Sequence, residues 1–317
     1  MRLAADHVRV RVPATSANLG PGFDSLGVAL SLHDVVEVRA VSISGAVVEV
    51  TGEGAGVVPT GEDHLVVRAI REGLDHAGAS QVGLHLTCTN LIPHGRGLGS
   101  SAGAVVAGLL VARALVAEPA ALDDDTVLAL AAAMEGHPDN AAPALLGGVT
   151  VAWADDAVRA VRVPVHPDIV PVAIVPPHQL STRAARAVLP AQVPHADAAF
   201  QAGRAALLVE ALGRRPDLLL AATEDRLHQE YRRSVMPDSL ALVGALRKRG
   251  VAAVVSGAGP TVLALARRSA SGPNGLPSTD ADGAIAAAFG GVMAGWRVLP
   301  LPVDMVGAVV ERGTDEP

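Results

Sequence analysis

The sequence predicts a two-domain protein of mixed α and β structure. Three observations carry this. The 317 residues are about two domains' worth of chain. Apolar residues alternate at period two in Val8-Arg9-Val10-Arg11-Val12, and in Leu65, Ala69, Ile70 and Leu74 they recur at helical spacing. Strands are expected at 8–12, 35–41 and 47–51. A helix over 63–76 and a strand over 81–89 come next, and then a glycine-rich turn leads into a helix from Ser101 to about Val116. The run Asp123-Asp124-Asp125 opens another helix, because carboxylates favour the positive end of a helix dipole. Gly147-Gly148 closes a short helical piece, residues 149–153 and 158–163 read as paired strands, and Pro164, Pro167 and Pro171 punctuate the chain just beyond them. The boundary therefore falls near 160–168, dividing the chain into 1–165 and 166–317. In the second part a strand over 169–175 precedes helices near 182–189, 195–213, 216–223 and 238–249, with strands at 252–256 and 261–266. Residues 269–283, SASGPNGLPSTDADG, lack apolar periodicity and predict a mobile surface loop.

Composition narrows the function. Half the residues are hydrophobic and only 18% are charged, so the chain can bury a sizeable core. Aromatic residues make up 2%, too few for the stacking platforms that single-stranded nucleic acid requires, and a net charge of −7 offers phosphate backbones or anionic lipids no general attraction. No nucleic-acid or membrane partner is expected. Lys248 is the single lysine, and no GxxxxGK[ST] string occurs, which excludes a P-loop. Cys88 stands alone, so disulfide frameworks and cysteine-rich zinc sites are excluded. The apolar run 102–117 is interrupted by Arg113 and too short to span a bilayer, and the opening residues show no signal-peptide pattern. A cytoplasmic location is expected.

Four segments could carry chemistry. In PHGRGLGSSAGAVVAGL (93–109), Gly95, Gly97 and Gly99 bare the backbone of a turn that enters a helix capped by Ser100 or Ser101. Unpaired amides and the positive end of the dipole would converge there on an anion, and a triphosphate suits that position. The two serine hydroxyls could donate to phosphate oxygens or ligate Mg²⁺. PATSANLGPGFDSLGVAL (13–30) follows a strand and packs Thr15, Ser16, Asn18 and Asp24 among glycines, a density of short polar groups that suits a small polar ligand or, equally, loop capping. EGHPDNAAPALLGG (135–148) groups Glu135, His137, Asp139 and Asn140; one carboxylate together with phosphate oxygens is enough for Mg²⁺, and Pro138-Asp139 also suits a helix start. SGAGPTVLAL (256–265) joins two apolar strands through Gly257 and Gly259, which reads foremost as a tight turn.

In this order the four segments resemble the GHMP kinase superfamily across essentially the whole chain, in its homoserine-phosphorylating branch. The resemblance implies an α+β fold with an N-terminal half like the second domain of ribosomal protein S5 and a ferredoxin-like C-terminal half. It further implies transfer of the γ-phosphoryl group of ATP to the side-chain hydroxyl of L-homoserine, on the route to threonine. ATP and Mg²⁺ are the implied cofactors. Matched by position, Pro93, Gly95, Arg96, Gly97, Leu98, Gly99, Ser100, Ser101 and Ala102 would surround ATP, and Ser101 with Glu135 would hold the metal. Asn18, Asp24, His137, Asn140, Thr182, Arg186, Arg232 and Gly257 would line the amino-acid pocket, with Asn18, Asp24, Glu135 and Arg186 closest to the chemistry. The arginines stand in STRAAR (181–186) and YRRSVMP (231–237), and a planar guanidinium grips a free carboxylate in a bidentate way. Asp24 would face the α-ammonium or the hydroxyl; a carboxylate of ordinary basicity is a poor base for an alcohol, which favours binding over proton abstraction. A related kinase of mevalonate, shikimate or a sugar, or a sensor without turnover, is the alternative. A homodimer is expected, as for most soluble oligomeric enzymes.

Overall fold

The computed structural model describes residues 5–42, 44–271, 277–290 and 295–312. Its first sheet has seven strands: β1 (His7–Asn18), β2 (Gly22–Val41), β3 (Ala46–Gly52), β4 (Gly83–Asn90), β5 (Val149–Ala154), β6 (Val158–Val163) and β12 (Val309–Arg312). The order runs β12-β1-β2-β4-β3, with β5 on the free end of β2 and β6 beside β5. Among the described residues only β3 and β4 run parallel in it. The polar segment 13–30, expected to follow a strand, is itself mostly strand: β1 continues to Asn18, and β2 resumes at Gly22 after a three-residue turn. A register shift between Pro13 and Ala14 re-aims the end of β1 toward the second half of the molecule.

One face of this sheet is covered by α1 (Leu65–His76), α2 (Ser100–Leu115), α3 (Asp124–Glu135) and α4 (Ala141–Leu146). The expected acidic start of α3 is present, for Asp123 caps it by accepting the Thr126 amide at 2.8 Å. The chain's small-residue composition is used where α1 crosses α2. A Cβ on Gly108 would lie 2.6 Å from both Ala69 Cβ and Val66 O, and one on Gly73 would lie 2.6 Å from Ala112 Cβ. Only small side chains allow this approach, and it leaves α2 buried almost all round.

The second sheet has the order β10-β9-β7-β11, with β8 also on β9. Its strands are β7 (Ile169–Val175), β8 (Ala253–Val255), β9 (Val262–Ser271), β10 (Pro277–Thr279) and β11 (Arg297–Pro300). Every residue of β7 is buried because both faces are covered. Ile169, Ala173 and Val175 enter a core shared with β1, β2, α6 (His195–Gly213) and α7 (Leu219–Ala222). Val172 and Ile174 face the other way, toward α5 (Thr182–Ala187), α8 (Pro237–Arg247) and α9 (Asp282–Ala288). The shared core is what seats the two sheets against each other.

The stretch 269–283 departs from the expected loop. Its described flanks lie in β9, β10 and the start of α9, fixed by Arg267 on Asp280 and by the Thr279 hydroxyl on Asp282. Residues 272–276 lie outside the described residues. β11, β12 and α9 had no expected counterpart. Among the described residues no helix is long and apolar enough to cross a membrane.

The α1–α2 contact sets an expected cost. Gly108→Ala should destabilise the protein by about 1–3 kcal/mol through overpacking. This reads as a lower urea midpoint with an unchanged slope, and an unchanged midpoint would mean that the helices can separate freely.

Candidate active site

The four polar segments, up to about 240 residues apart in sequence, meet between the two sheets. Thr15 donates its amide to Leu98 O at 3.0 Å, Gly257 donates to Ala17 O at 3.0 Å, and Thr261 to Arg96 O at 3.3 Å. The Ser256 hydroxyl donates to Gly97 O at 2.6 Å and lies 2.8 Å from that of Ser16. Backbone thus meets backbone. A Cβ on Gly97 would fall 2.3 Å from Ser256 O, and one on Gly99 would fall 1.8 Å from Thr15 Oγ1; both residues have φ near +70°. Only glycine satisfies the conformation and the contact together.

Gly99, in the left-handed region, is the N-cap of α2 and makes no side-chain cap bond. The expectation that Ser100 or Ser101 caps the helix is therefore corrected. Both serines sit inside its first turn, because the left-handed cap conformation that glycine adopts freely strains a residue with a Cβ. The consequence is chemical: both hydroxyls are released from capping. Ser101 instead donates to Glu135 Oε1 at 2.5 Å, bringing together the two predicted metal ligands. No cluster of three or more metal-ligating side chains occurs among the described residues. A hydroxyl and one carboxylate fit Mg²⁺ as it is bound beside phosphates, with substrate oxygens and water completing the shell.

A cavity of about 120 Å³ opens in front of the α2 terminus. Its lining includes Asn18, Gly95, Gly97–Ala102, Glu135, His137, Asn140, Thr182, Arg186, Arg232 and Gly257. Asn18, left-handed at φ 70°, is a strut: its amide donates to Gly257 O at 2.9 Å while its Oδ1 accepts the Asp24 amide at 3.0 Å. Asn140 accepts from the Thr15 hydroxyl at 2.8 Å. Asp24 does not line the cavity itself. Its carboxylate accepts both terminal nitrogens of Arg186, at 2.6 and 3.1 Å, a bidentate pair that raises the arginine above its ordinary value. Both partners stay about one-third exposed.

Arg232 is buried to 1% exposure. Its Nε donates to Ala185 O at 3.1 Å, and its Nη1 donates to His228 Nδ1 at 2.8 Å and Gly257 O at 3.3 Å. Desolvation, with Arg186 nearby, brings it down to about 10 against the pull of Asp225, so it remains cationic at neutral pH. Phe23 lies beneath both guanidinium groups, 5.4 Å from Arg186 and 5.8 Å from Arg232. His137 Nδ1 is hydrogen-bonded to the buried Asp139 carboxylate at 2.7 Å, and this bond raises the imidazole above 6.5 despite its burial.

Besides Asp24, two predicted residues stand outside the cavity lining. Pro93 is buried away from the cavity. Arg96 turns its guanidinium onto the carbonyls of His94, Pro176 and Pro177, tying the glycine turn to the end of β7 rather than facing a ligand.

Sequence reasoning missed a neighbouring cavity of about 280 Å³ that shares Ser100 and Ser101 with the first. Val12, Val36, Val58, Leu65 and Val66 make it apolar, and His64, Asn90 and Asp34 supply polar edges. His64 is 6% exposed, and its Nδ1 has no partner among the described residues. Burial and nearby His94 hold its imidazole below the ordinary value, hence neutral. Nothing local in the sequence marks this site, since its lining comes from β1, β2, β4, α1, α2 and the connections between them.

The family described as GHMP kinases N terminal domain matches residues 64–148, and GHMP kinases C terminal matches 198–287. A homoserine kinase of Streptomyces coelicolor is 58% identical over 261 residues, 82% of this chain and 84% of that protein. One from Leifsonia xyli is 49% identical over 311 residues, 98% of this chain and 94% of that protein. The crystal structure of homoserine kinase from Cytophaga hutchinsonii superposes with a TM-score of 0.81 at 28% identity, over 98% of this chain and 99% of that one. These matches define a small-molecule kinase, and the chain belongs to the GHMP kinase family, in its homoserine kinase branch.

The His137–Asp139 pair sets a pH dependence. A histidine raised on folding stabilises the fold fully below its unfolded value near 6.5, and that contribution disappears as pH rises through the folded value. An NMR titration of His137 should give a midpoint above 6.5, moving down in Asp139→Asn. A wild-type midpoint at or below 6.5 would contradict the pairing.

Proposed function

We propose that this chain transfers the γ-phosphoryl group of ATP to the side-chain hydroxyl of L-homoserine, forming O-phospho-L-homoserine in threonine biosynthesis. One observation carries the reading: an anion cradle built from bare glycine amides opens onto the same cavity as Arg232 and Arg186, the latter held by Asp24 behind it. A phosphate and a zwitterionic amino acid can therefore meet there.

In this reading the α2 terminus and the 97–101 backbone receive the β- and γ-phosphates. The purine and ribose occupy the neighbouring apolar cavity, where the unpaired nitrogen of neutral His64 suits an uncharged heterocycle edge. Ser101 and Glu135 would hold Mg²⁺, which when bound supplies neutralisation of the phosphate charge. Arg232 and Arg186 take the amino-acid carboxylate, and Asp24 takes the ammonium or orients the hydroxyl. His137 and Asn140 shape the wall, and Asn18 holds the loop that carries Asp24. Positioning and charge neutralisation do most of the work in such a transfer, and no group is assigned as a general base. The reading includes a cytoplasmic enzyme acting as a homodimer, the commonest assembly among soluble oligomers; light scattering of the purified chain reads its mass.

ADP formation should depend on L-homoserine when the purified chain is given MgATP, and an equal rate without it would overturn the reading. Glu135→Gln should lower kcat by about 100-fold or more while leaving the thermal midpoint nearly unchanged. Arg186→Ala should raise KM for homoserine about 10–100-fold, the cost of a charge-assisted bond, and spare KM for ATP. Equal effects on both substrates would remove carboxylate recognition from Arg186.

A further inference from the structure

The turn between α7 and α8 contains two ionisable side chains with no exposure to solvent, Asp225 and His228, and the proposed reaction uses neither. Asp225 builds the turn. Its carboxylate accepts the amides of Leu227, His228 and Gln229 at 3.0, 3.1 and 2.7 Å, and Gln201 Nε2 at 2.7 Å. His228 is different, because its two ring nitrogens face partners of opposite kind. Nδ1 faces Arg232 Nη1 at 2.8 Å, and Nε2 faces Gly20 O at 2.7 Å.

A guanidinium only donates and a carbonyl only accepts. Nδ1 must therefore be bare, and the single ring proton sits on Nε2, donated to Gly20 O. The same ring stacks on Phe23 with centroids 5.0 Å apart, which fixes its plane. The ring thus holds Arg232 through one nitrogen and the β1–β2 turn through the other. Burial, partly opposed by Asp225, keeps the imidazole neutral. With Nε on Ala185 O and Nη1 on His228 and Gly257, Arg232 keeps Nη2 without a protein partner among the described residues, beside the cavity.

We propose that His228 is a positioning residue for amino-acid binding: as a neutral Nε2–H tautomer clamped between Gly20 O and Arg232, it aims the guanidinium so that Nη2 meets the substrate carboxylate. The inference rests on the reading that Arg232 receives that carboxylate. His228 acts through Arg232 and touches no reacting atom, so its loss falls on KM for the amino acid and not on turnover or nucleotide binding.

The test is steady-state kinetics of His228→Phe, His228→Asn and Arg232→Ala, each checked for folding by circular dichroism. Phe keeps the stacking volume and removes the acceptor, whereas Asn restores an acceptor oxygen near the Nδ1 position. His228→Phe should raise KM for L-homoserine about 10–100-fold, the worth of one bond to a charged group, with kcat and KM for ATP close to wild type. His228→Asn should recover most of that loss. Should the Phe variant not fold, His228→Gln, which reaches toward Gly20 but offers Arg232 no aligned acceptor, carries the same expectation. Wild-type KM in both Phe and Gln variants, or an Asn variant as impaired as they are, would overturn the positioning role while Arg232→Ala still raises KM. An Arg232→Ala enzyme with wild-type KM would instead remove the carboxylate reading and the inference with it.

Discussion

The absence of two Cβ atoms is the constraint on which the site depends. At Gly97 and Gly99 the backbone of the glycine turn lies against Ser256, Gly259 and Thr15 at distances that no side chain survives. That contact places the amides at the head of α2, and it also joins the first sheet to the second through Gly97 O and the Ser256 hydroxyl. The cradle and the junction of the halves are one structure. In the proposed reading, a residue that loosened the turn would move phosphate donors and amino-acid groups relative to each other, and phosphoryl transfer tolerates little misplacement.

The cations of the cavity are held in two contrasting ways. Arg186 pairs with Asp24 while both remain about one-third exposed, and pairs of that kind are worth about 0–1 kcal/mol in solvent. In the proposed reading a zwitterion can replace each partner at small cost, its carboxylate on the arginine and its ammonium on the aspartate. Arg232 is almost wholly buried and fixed through three of its donors, so in the same reading it needs no such exchange. One arginine is thus exchangeable and the other preorganised, which favours a ligand carrying both charges over one carrying either alone.

Much of the fold could be read from the sequence because its cues are local. Alternation marked β1, the aspartate run marked the start of α3, and the glycine run marked the turn before α2. The site was legible where a segment carries its own chemistry, as in Gly97 to Ser101 with Glu135. It was not legible where chemistry arises from contacts between distant segments. His228 looks like any histidine until the carbonyl of Gly20, 208 residues earlier, accepts its Nε2–H. Arg96, sitting within the glycine motif, reads as a ligand group, yet the carbonyls at the end of β7 claim it. The misread serine cap has the same origin, for the decisive feature is a left-handed glycine that Thr15 and the Ser256 turn require. Strands β11 and β12 escaped notice because each is only four residues long and is defined by its partner rather than by its own pattern.

Composition and site then connect through α2. Its terminus can act as an anion cradle only if the helix behind it cannot tilt, and a helix exposed on one side would be free to do so. The alanine, glycine and valine that leave this chain nearly without aromatics let α1 press against Gly108 while β1 packs along another face, so that α2 is enclosed by small side chains. Close packing of this kind resists displacement because every shift must compress a neighbour. The apolar half of the sequence, which by itself says only that a core exists, therefore fixes the direction in which the α2 amides point, and they point into the cavity where the two arginines converge.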